Sequence, residues 1–158
     1  MHSRIIELGN APILPDDRMG ECSVPEWFYH SIADYTNAET DRDEDLKWFL
    51  EIVAHIVDVA EDGESFTFKP NAKKKYFHRQ YYAFLDKARE LTGISIEAFC
   101  AETPYDIGMA MYKLNEAYQD KFSFYIHYQD KLKTLDEWIR ETDLSESFYF
   151  GGTLDYHF

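Results

Sequence analysis

Apolar positions between residues 46 and 60 are spaced as in an amphipathic helix. Seven of them recur every three or four residues: Leu46, Phe49, Leu50, Val53, Ile56, Val57 and Ala60. This spacing puts all seven on one broad face of about five helical turns. The acidic run from Thr40 to Asp45 favours a helix start, because anions stabilise the positive end of the helix dipole. We therefore predict one long helix that begins in this run and is closed by Gly63.

Further helices are predicted from capping residues and from the same spacing. Ser23 and Glu26 form a capping box around Pro25, which predicts a helix of about Val24 to Tyr35. The remaining helices are predicted at about Asn71–Thr92, near Ile96–Ala101, from a Thr103-Pro104 cap onwards, and around Trp138 after a capping box at Thr134. These predictions place most of the helices before residue 121.

Alternation with period two predicts strands, mostly late in the chain. Residues 122–128 alternate most clearly, Glu64–Lys69 alternate over a shorter stretch, and residues 3–8 fit a short edge strand. Gly151 and Gly152 separate two alternating aromatic runs, which predicts a hairpin turn. The sum is an α+β class: several helices packed on a small, mostly antiparallel sheet with C-terminal strands. We expect a single domain over residues 1–158, because no long linker or internal repeat divides the chain.

The composition is typical of a folded, strongly acidic protein. Of the 158 residues 45% are hydrophobic and 17% aromatic, and 16 basic against 30 acidic side chains give a net charge of −14. This charge repels nucleic acid and anionic lipid, so direct binding to nucleic acid or membrane is not expected. Two cysteines, Cys22 and Cys100, without a CxxC pair are typical of free thiols in a reducing compartment. No apolar run has signal-peptide or membrane-span length, and we expect a cytoplasmic protein.

The acidic side chains are distributed unevenly along the sequence. Residues 1–65 carry four basic and 16 acidic side chains, a net charge of −12, whereas residues 66–93 carry +5 and residues 94–158 carry −7. The acidic segment either pairs with the basic helix at 71–92 and remains a solvated surface, or offers carboxylates to a basic partner. Its candidate partner-binding residues are Asp34, Glu39, Asp41, Asp43, Glu44, Asp45, Asp58, Glu61 and Asp62.

A second candidate site is an aromatic and histidine face on the predicted C-terminal strands. Its residues are Tyr125, His127, Tyr149 and His157, of which the two histidines are expected to face each other across the sheet. The alternative is that the same side chains pack beneath the helices or cover the outer face of the sheet. Glu26, His30 and Asp34 have a spacing that suits a divalent metal, but no second helix supplies matching ligands. No catalytic or nucleotide motif occurs, so no catalytic residue, metal or cofactor is expected.

These patterns favour a non-enzymatic interaction protein. Its expected partner is a basic protein, and the most concrete hypothesis is an inhibitor or immunity-type protein whose carboxylates occupy the nucleic-acid site of that partner. Its likeness to acidic DNA mimics lies in charge and size alone. The alternative is a small enzyme or ligand-binding protein that uses the tyrosine and histidine face. A third hypothesis is an assembly protein whose C-terminal strands add to the sheet of another subunit.

Overall fold

The computed structural model describes residues 1–103 and 105–158, which form two compact units. Unit 1 comprises residues 1–75 and 122–158, and unit 2 comprises residues 76–121. Among the described residues, all seven strands belong to one sheet in unit 1, and unit 2 is helical. The protein thus has the predicted α+β class, with helices packed on a mostly antiparallel sheet. No helix in the described part of the chain is long and apolar enough to cross a lipid bilayer.

The helices and strands alternate irregularly along the chain. The strands are β1 His2–Gly9, β2 Tyr35–Asn37, β3 Val57–Val59, β4 Ser65–Phe68, β5 Tyr125–Tyr128, β6 Lys131–Thr134 and β7 Ser147–His157. The α-helices are α1 Glu26–Ser31, α2 Arg42–Val53, α3 Ala72–Thr92, α4 Ile96–Phe99, α5 Tyr105–Tyr118 and α6 Leu135–Glu141. Two single 3₁₀ turns, Pro15–Asp17 and Glu21–Ser23, lie in the loop after β1.

The long C-terminal strand β7 is the centre of the sheet. Strand β1 pairs with it antiparallel from His2, opposite His157, to Gly9, opposite Tyr149. The other edge of β7 pairs with β2 near one end and with β4 near the other. The strand order is β3-β4-β7-β1-β5-β6, in which β1 and β5 are parallel. Because β1 has neighbours on both sides, the predicted edge position of residues 3–8 is wrong. The C-terminal strand is likewise central, which removes the basis for its addition to another subunit.

Gly151 and Gly152 lie inside the continuous strand β7, so the predicted hairpin turn is wrong. The buried carboxylate of Glu7 lies across this glycine pair, and its Oε2 accepts the N–H of Gly152 at 2.7 Å and that of Met19 at 2.9 Å. A Cβ on Gly151 would overlap the Glu7 carboxylate. The glycines therefore permit the close approach of a buried acid to the backbone rather than a change of chain direction.

The same position is a β-bulge, and the buried side chains of β7 lie on opposite faces of the sheet before and after it. The β1–β7 register shifts between Ile6 and Leu8, so two residues of β7 lie opposite one residue of β1. On the α1 side of the sheet, the core contains Ile5, Met19, Val24, Phe28, Ala33, Tyr125, Leu132, Leu154 and Tyr156. On the side of α2 and α6, the buried rings are Phe49, Phe66, Phe124, Trp138, Phe148 and Phe150.

Helix α2 is shorter than the apolar spacing predicts. It starts at its cap, Asp41, and ends at Val53. The last residues of the predicted helix form β3, which pairs with β4, and Gly63 lies in the connecting turn with a φ of 72°. Ile56 and Val57 are buried by the sheet, so their apolar character was consistent with either structure. The prediction of one continuous helix up to Gly63 is therefore wrong.

The other helix predictions agree with the structure to different degrees. α3 matches its predicted range closely, whereas α1 covers only the middle of its range because Tyr35–Asn37 join the sheet as β2. The Ser23 hydroxyl accepts the N–H of Gly20 and does not cap α1. The capping box of α6 is confirmed, since Thr134 and Glu137 each accept the backbone N–H of the other. The predicted Thr103-Pro104 cap involves residue 104, which lies outside the described residues.

Candidate functional site

Three residues of the predicted acidic patch come together at the start of α2. Glu39, Asp41 and Asp43 line a shallow depression of about 620 Å³. Its remaining lining residues are Arg18, Thr40 and Arg42. Asp41 caps α2 by accepting the backbone N–H groups of Asp43 and Glu44 at 3.1 and 3.2 Å. The cap holds this group of carboxylates in a fixed position at the helix start.

A second depression of about 580 Å³ lies between α2 and the β3–β4 turn. Asp43 and Glu51 line it from the helix, and Asp62 and Glu64 line it from the turn. Leu46, Leu50 and Ala54 supply apolar lining, and Lys47 is the second cation beside Arg42. The two depressions share Arg42 and Asp43, so one surface with both acidic and basic side chains extends from the start of α2 to the turn. Sequence reasoning missed Glu51 and Glu64, which lie outside the continuous acidic runs.

Arg42 contributes little free positive charge to this surface. Its Nε donates to the carbonyl of Gly151 at 2.7 Å, and its guanidinium pairs with Glu64 at 2.6 Å. The hydrogen bond and charge of Arg42 hold the pKa of Glu64 below its ordinary value of 4.5. Arg42 therefore binds the edge of β7 between the stretches that pair with β2 and β4.

Trp48 and Ile52 form a partly exposed apolar pair on one flank of α2, and neither lines the two depressions. Trp48 is 41% exposed and Ile52 is 38% exposed, and Glu44, Trp48 and Ile52 follow one another at four-residue spacing. The Trp48 ring is held edge-on against Phe124 at 4.7 Å, and the Arg4 guanidinium lies 5.5 Å from its centroid. A large aromatic side chain is therefore presented to solvent in a defined orientation.

We call this surface the α2 surface and define it by its exposed residues. They are Glu39, Asp41, Asp43, Glu44, Lys47, Trp48, Glu51, Ile52, Glu61 and Asp62. Within the described part of the chain, Glu39, Glu44, Glu51 and Glu61 have no ion-pair partner, and Asp43 reaches Arg42 only at 3.8 Å. The α2 surface therefore combines uncompensated carboxylates with an exposed tryptophan.

Three members of the predicted patch lie elsewhere. Asp45 is buried on the inner side of α2, where it pairs with Arg4 and accepts the Thr153 hydroxyl at 2.8 Å. It stands one turn before the buried Phe49, so its helical position points it to the sheet. The structure also separates two exposed members from the α2 surface: Asp34, which pairs with His157 at 3.1 Å, and Asp58, which lies 3.7 Å from Lys69.

The structure separates His157 from the other three residues of the predicted ligand face, Tyr125, His127 and Tyr149. Tyr125 is buried against Phe28, whereas His157 stacks on Tyr35 at 5.2 Å. On β1, His127 is in register with Glu7 and His157 with His2, five residues apart. Five residues of a strand span about 17 Å, so the two histidines do not face each other.

The residues proposed for metal binding do not converge either. His30 lies 3.4 Å from Glu26, but Asp34 is beyond the end of α1 and bonds His157. Within residues 1–103 and 105–158, no group of three or more His, Cys, Asp or Glu side chains is arranged to hold a metal ion.

Comparison with known proteins gives one partial similarity. Residues 113–146 match the family model of Tudor-knot, described as the RNA binding activity-knot of a chromodomain. The match covers about a fifth of the chain and runs from the second half of α5 through β5, β6 and α6. Five basic and eight acidic side chains lie in the matched stretch. Neither a curated protein nor a solved structure matches the chain.

Proposed function

We propose that this chain is a non-enzymatic, acidic interaction protein that binds a basic protein partner through the α2 surface. The observation that carries the proposal is the exposure of Trp48 among carboxylates that lack cationic partners within the described residues. Unit 1, which contains this surface, has 11 basic and 23 acidic side chains and hence a net charge of −12. A field of this size attracts basic surfaces and raises their association rate at low salt.

The arrangement of the α2 surface resembles that of a protein interface. Interfaces derive most of their binding energy from a few central residues, among which tryptophan is enriched, while charged residues at the rim set orientation and rate. Trp48 and Ile52 would supply the apolar contact, and Glu44 and Glu51, which are one helical turn from Trp48, the charged residues beside it. The complementary partner surface is an apolar contact flanked by lysine or arginine.

We further propose that the partner is a nucleic-acid-binding protein and that this chain inhibits it, as a DNA mimic or immunity-type protein does. Nucleic-acid sites are basic because they neutralise phosphates, so a dense group of carboxylates competes for the same side chains. A cytoplasmic location is proposed with this function. It is supported by Cys22 and Cys100, which are both free and exposed thiols.

Direct RNA binding is the second candidate function. The Tudor-knot match over residues 113–146 favours it, because that family model is described by an RNA binding activity. The net charge of −3 over the matched residues weighs against it, since phosphates are bound by an excess of lysine and arginine. The enzyme or ligand-binding alternative loses the convergent tyrosine and histidine face on which it was based.

A capture experiment tests the proposed function. The tagged chain is used to purify binders from host lysate at a series of salt concentrations, and each binder is then tested with purified components. We expect one basic protein whose retention falls steeply with salt and whose bound nucleic acid is displaced by this chain. Capture that is insensitive to salt, or a partner that keeps its nucleic acid, would contradict the proposal. Tight binding of labelled RNA to the purified chain alone would favour the second candidate.

A further inference from the structure

Two histidines lie directly opposite each other at one end of the β1–β7 pair. His2 on β1 is in register with His157 on β7, and directly paired residues of antiparallel strands share one face of the sheet. Their ring centroids are 4.9 Å apart, and the ring planes are inclined by 68°. The side chain of His2 is 53% exposed and that of His157 is 33% exposed. The strand pairing therefore holds two imidazole rings side by side at an accessible surface of unit 1.

Each imidazole ring is oriented by a carboxylate. Nδ1 of His2 lies 2.8 Å from Oδ2 of Asp155, and Nδ1 of His157 lies 3.1 Å from Oδ2 of Asp34. An ionised carboxylate only accepts hydrogen bonds, so each neutral imidazole donates from Nδ1 and keeps the lone pair on Nε2. Asp155 is itself held by the Arg4 guanidinium. The two carboxylates therefore select the same tautomer in both rings and leave both Nε2 atoms as acceptors.

The two Nε2 atoms differ in their surroundings. Nε2 of His157 lies 3.3 Å from the amine nitrogen of Met1, which is positively charged. Nε2 of His2 has no hydrogen-bond partner within the described residues. The ring of Tyr35 stacks on that of His157 at 5.2 Å and restricts its rotation. One lone pair therefore already faces a cationic group, and the other is available to a ligand.

The separation of the two rings suits a single metal ion. Two imidazoles whose nitrogens bind a zinc ion at about 2.1 Å, with an angle of about 90–110° between them, have ring centres about 4.6–5.4 Å apart. The observed 4.9 Å lies within this range. Histidines that bind metals almost always donate their second ring nitrogen to a carboxylate, a carbonyl or water, and both histidines here donate to a carboxylate. Ring distance, tautomer and supporting carboxylates thus agree with one another.

We propose that His2 and His157 bind one divalent transition metal ion, such as Zn²⁺, through their Nε2 atoms, while Asp155 and Asp34 orient the rings. Imidazole favours zinc, copper and nickel, whereas magnesium and calcium prefer oxygen ligands. Water completes the coordination, so the site is distinct from a group of three or more His, Cys, Asp or Glu ligands, which the described residues do not contain. None of the four residues belongs to the α2 surface, so this inference does not depend on the proposed function.

Titration calorimetry of the full chain with zinc chloride tests the site. Magnesium is present in excess to occupy weak carboxylate sites. We expect one Zn²⁺ ion per chain with a micromolar dissociation constant. His2→Ala and His157→Phe should each weaken binding at least about tenfold, and the second variant keeps a ring against Tyr35. His30→Ala is the matched control, because it removes an exposed histidine that also lies near a carboxylate, Glu26, and it should leave the affinity unchanged.

The combination of variants tests whether both rings bind the same ion. If they do, the variant that carries His2→Ala together with His157→Phe should bind no more weakly than either single variant. Asp34→Ala should weaken binding about tenfold through the orientation of His157. Zn²⁺ should also raise the melting temperature of the wild type, because the ion joins β1 to β7 only in the folded chain. Circular dichroism checks that each variant is folded.

Each of four results would overturn the proposal. The first is the absence of saturable Zn²⁺ binding by the wild type. The second is a His157→Phe variant that binds as tightly as the wild type, because the site would then lie at His2 alone. The third is additive losses in the double variant, which would indicate two separate sites. The fourth is a loss in His30→Ala equal to that in His2→Ala, which would indicate unspecific binding to exposed histidines.

Discussion

At the scale of single residues, the position of Glu7 explains an unusual feature of the longest strand. Its buried carboxylate accepts two backbone N–H groups from separate segments, the β1–α1 loop and β7. A buried acceptor that loses such partners costs more free energy than the hydrogen bonds contribute. The glycine at position 151 is therefore required by the approach of Glu7 and not by a turn.

Replacement of Gly151 tests this explanation. Gly151→Ala should lower the free energy of unfolding by about 1–3 kcal/mol, because the new methyl group overlaps the Glu7 carboxylate and displaces it from its hydrogen bonds to Met19 and Gly152. Gly20→Ala is the control, since a Cβ there meets nothing within 4 Å, and it should change stability by less than about 0.5 kcal/mol. Urea unfolding monitored by tryptophan fluorescence measures both. Equal effects of the two substitutions would show that close approach is not the cause.

The Gly151-Gly152 pair stands out in the sequence, but the sequence does not show whether it marks a hairpin turn or a β-bulge. A hairpin turn and a β-bulge are both marked by glycine between alternating runs. The deciding information is a contact with Glu7, which lies more than 140 residues away in the chain. Long-range contacts of this kind do not appear in a local pattern, so the strand was predicted and its continuity was not.

At the scale of elements, Arg42 joins α2 to the sheet. It bonds the carbonyls of Gly151 and Phe150 and pairs with Glu64, which follows the β3–β4 turn. The lowered pKa of Glu64 has a consequence for stability. Because the folded-state pKa lies below the unfolded one, the contribution is fully present above the unfolded value and is lost as pH falls through the folded value.

Glu64→Gln should remove this contribution. The difference in unfolding free energy between wild type and Glu64→Gln is expected to be largest near neutral pH. It should shrink as pH falls below about 4.5, the ordinary value for this carboxyl group, and disappear when the carboxyl is protonated in both states. Denaturant unfolding between pH 2 and pH 7 measures it. Glu61→Gln, on the same turn but without an ion pair in the described residues, is the control. A difference that is constant with pH would contradict the account.

Most elements were predictable because their signals are local. The capping box of α6 and the range of α3 required only neighbouring residues. The prediction extended α2 too far for a physical reason. Ile56, just before β3, and Val57, in β3, are buried as they would be in a helix, so apolar spacing alone could not separate a helix from a strand. Their branched side chains, which favour strands, were the available counter-signal.

At the scale of the whole molecule, unit 1 carries most of the negative charge, as the sequence count over residues 1–65 indicated, but the residues that form the acidic patch differ from those predicted. Of the nine predicted acidic residues, Asp45 is buried and Asp34 and Asp58 lie apart from the α2 surface. A sequence count gives the net charge of a segment but not the side of the helix on which each acid lies. The division into two units had no sequence signal, because its first boundary falls inside α3, at Lys75.

Sequence reasoning also missed the exposed apolar pair of the α2 surface, Trp48 and Ile52. Trp48 and Ile52 lie outside the buried stripe of α2, and an apolar pair at polar positions was the signal for them. Trp48→Ala should weaken partner binding by at least about 30-fold, as expected for a central aromatic residue. Trp27→Ala, which removes a 46% exposed tryptophan from α1, is the matched control and should leave affinity unchanged. Titration calorimetry with the captured partner measures both, and equal losses would exclude the α2 surface.

The measurement that tests the central claim most directly is the salt dependence of partner binding in two variants of equal net charge. One carries Asp43→Asn, Glu44→Gln and Glu51→Gln on the α2 surface, and the other carries Asp16→Asn, Asp17→Asn and Glu26→Gln elsewhere in unit 1. Both have a net charge three units less negative than wild type. We expect the first variant to lose at least about tenfold in affinity at low salt and to show a shallower dependence on salt. The second should bind like wild type. Equal behaviour of the two variants would mean that total charge, and not the α2 surface, governs binding.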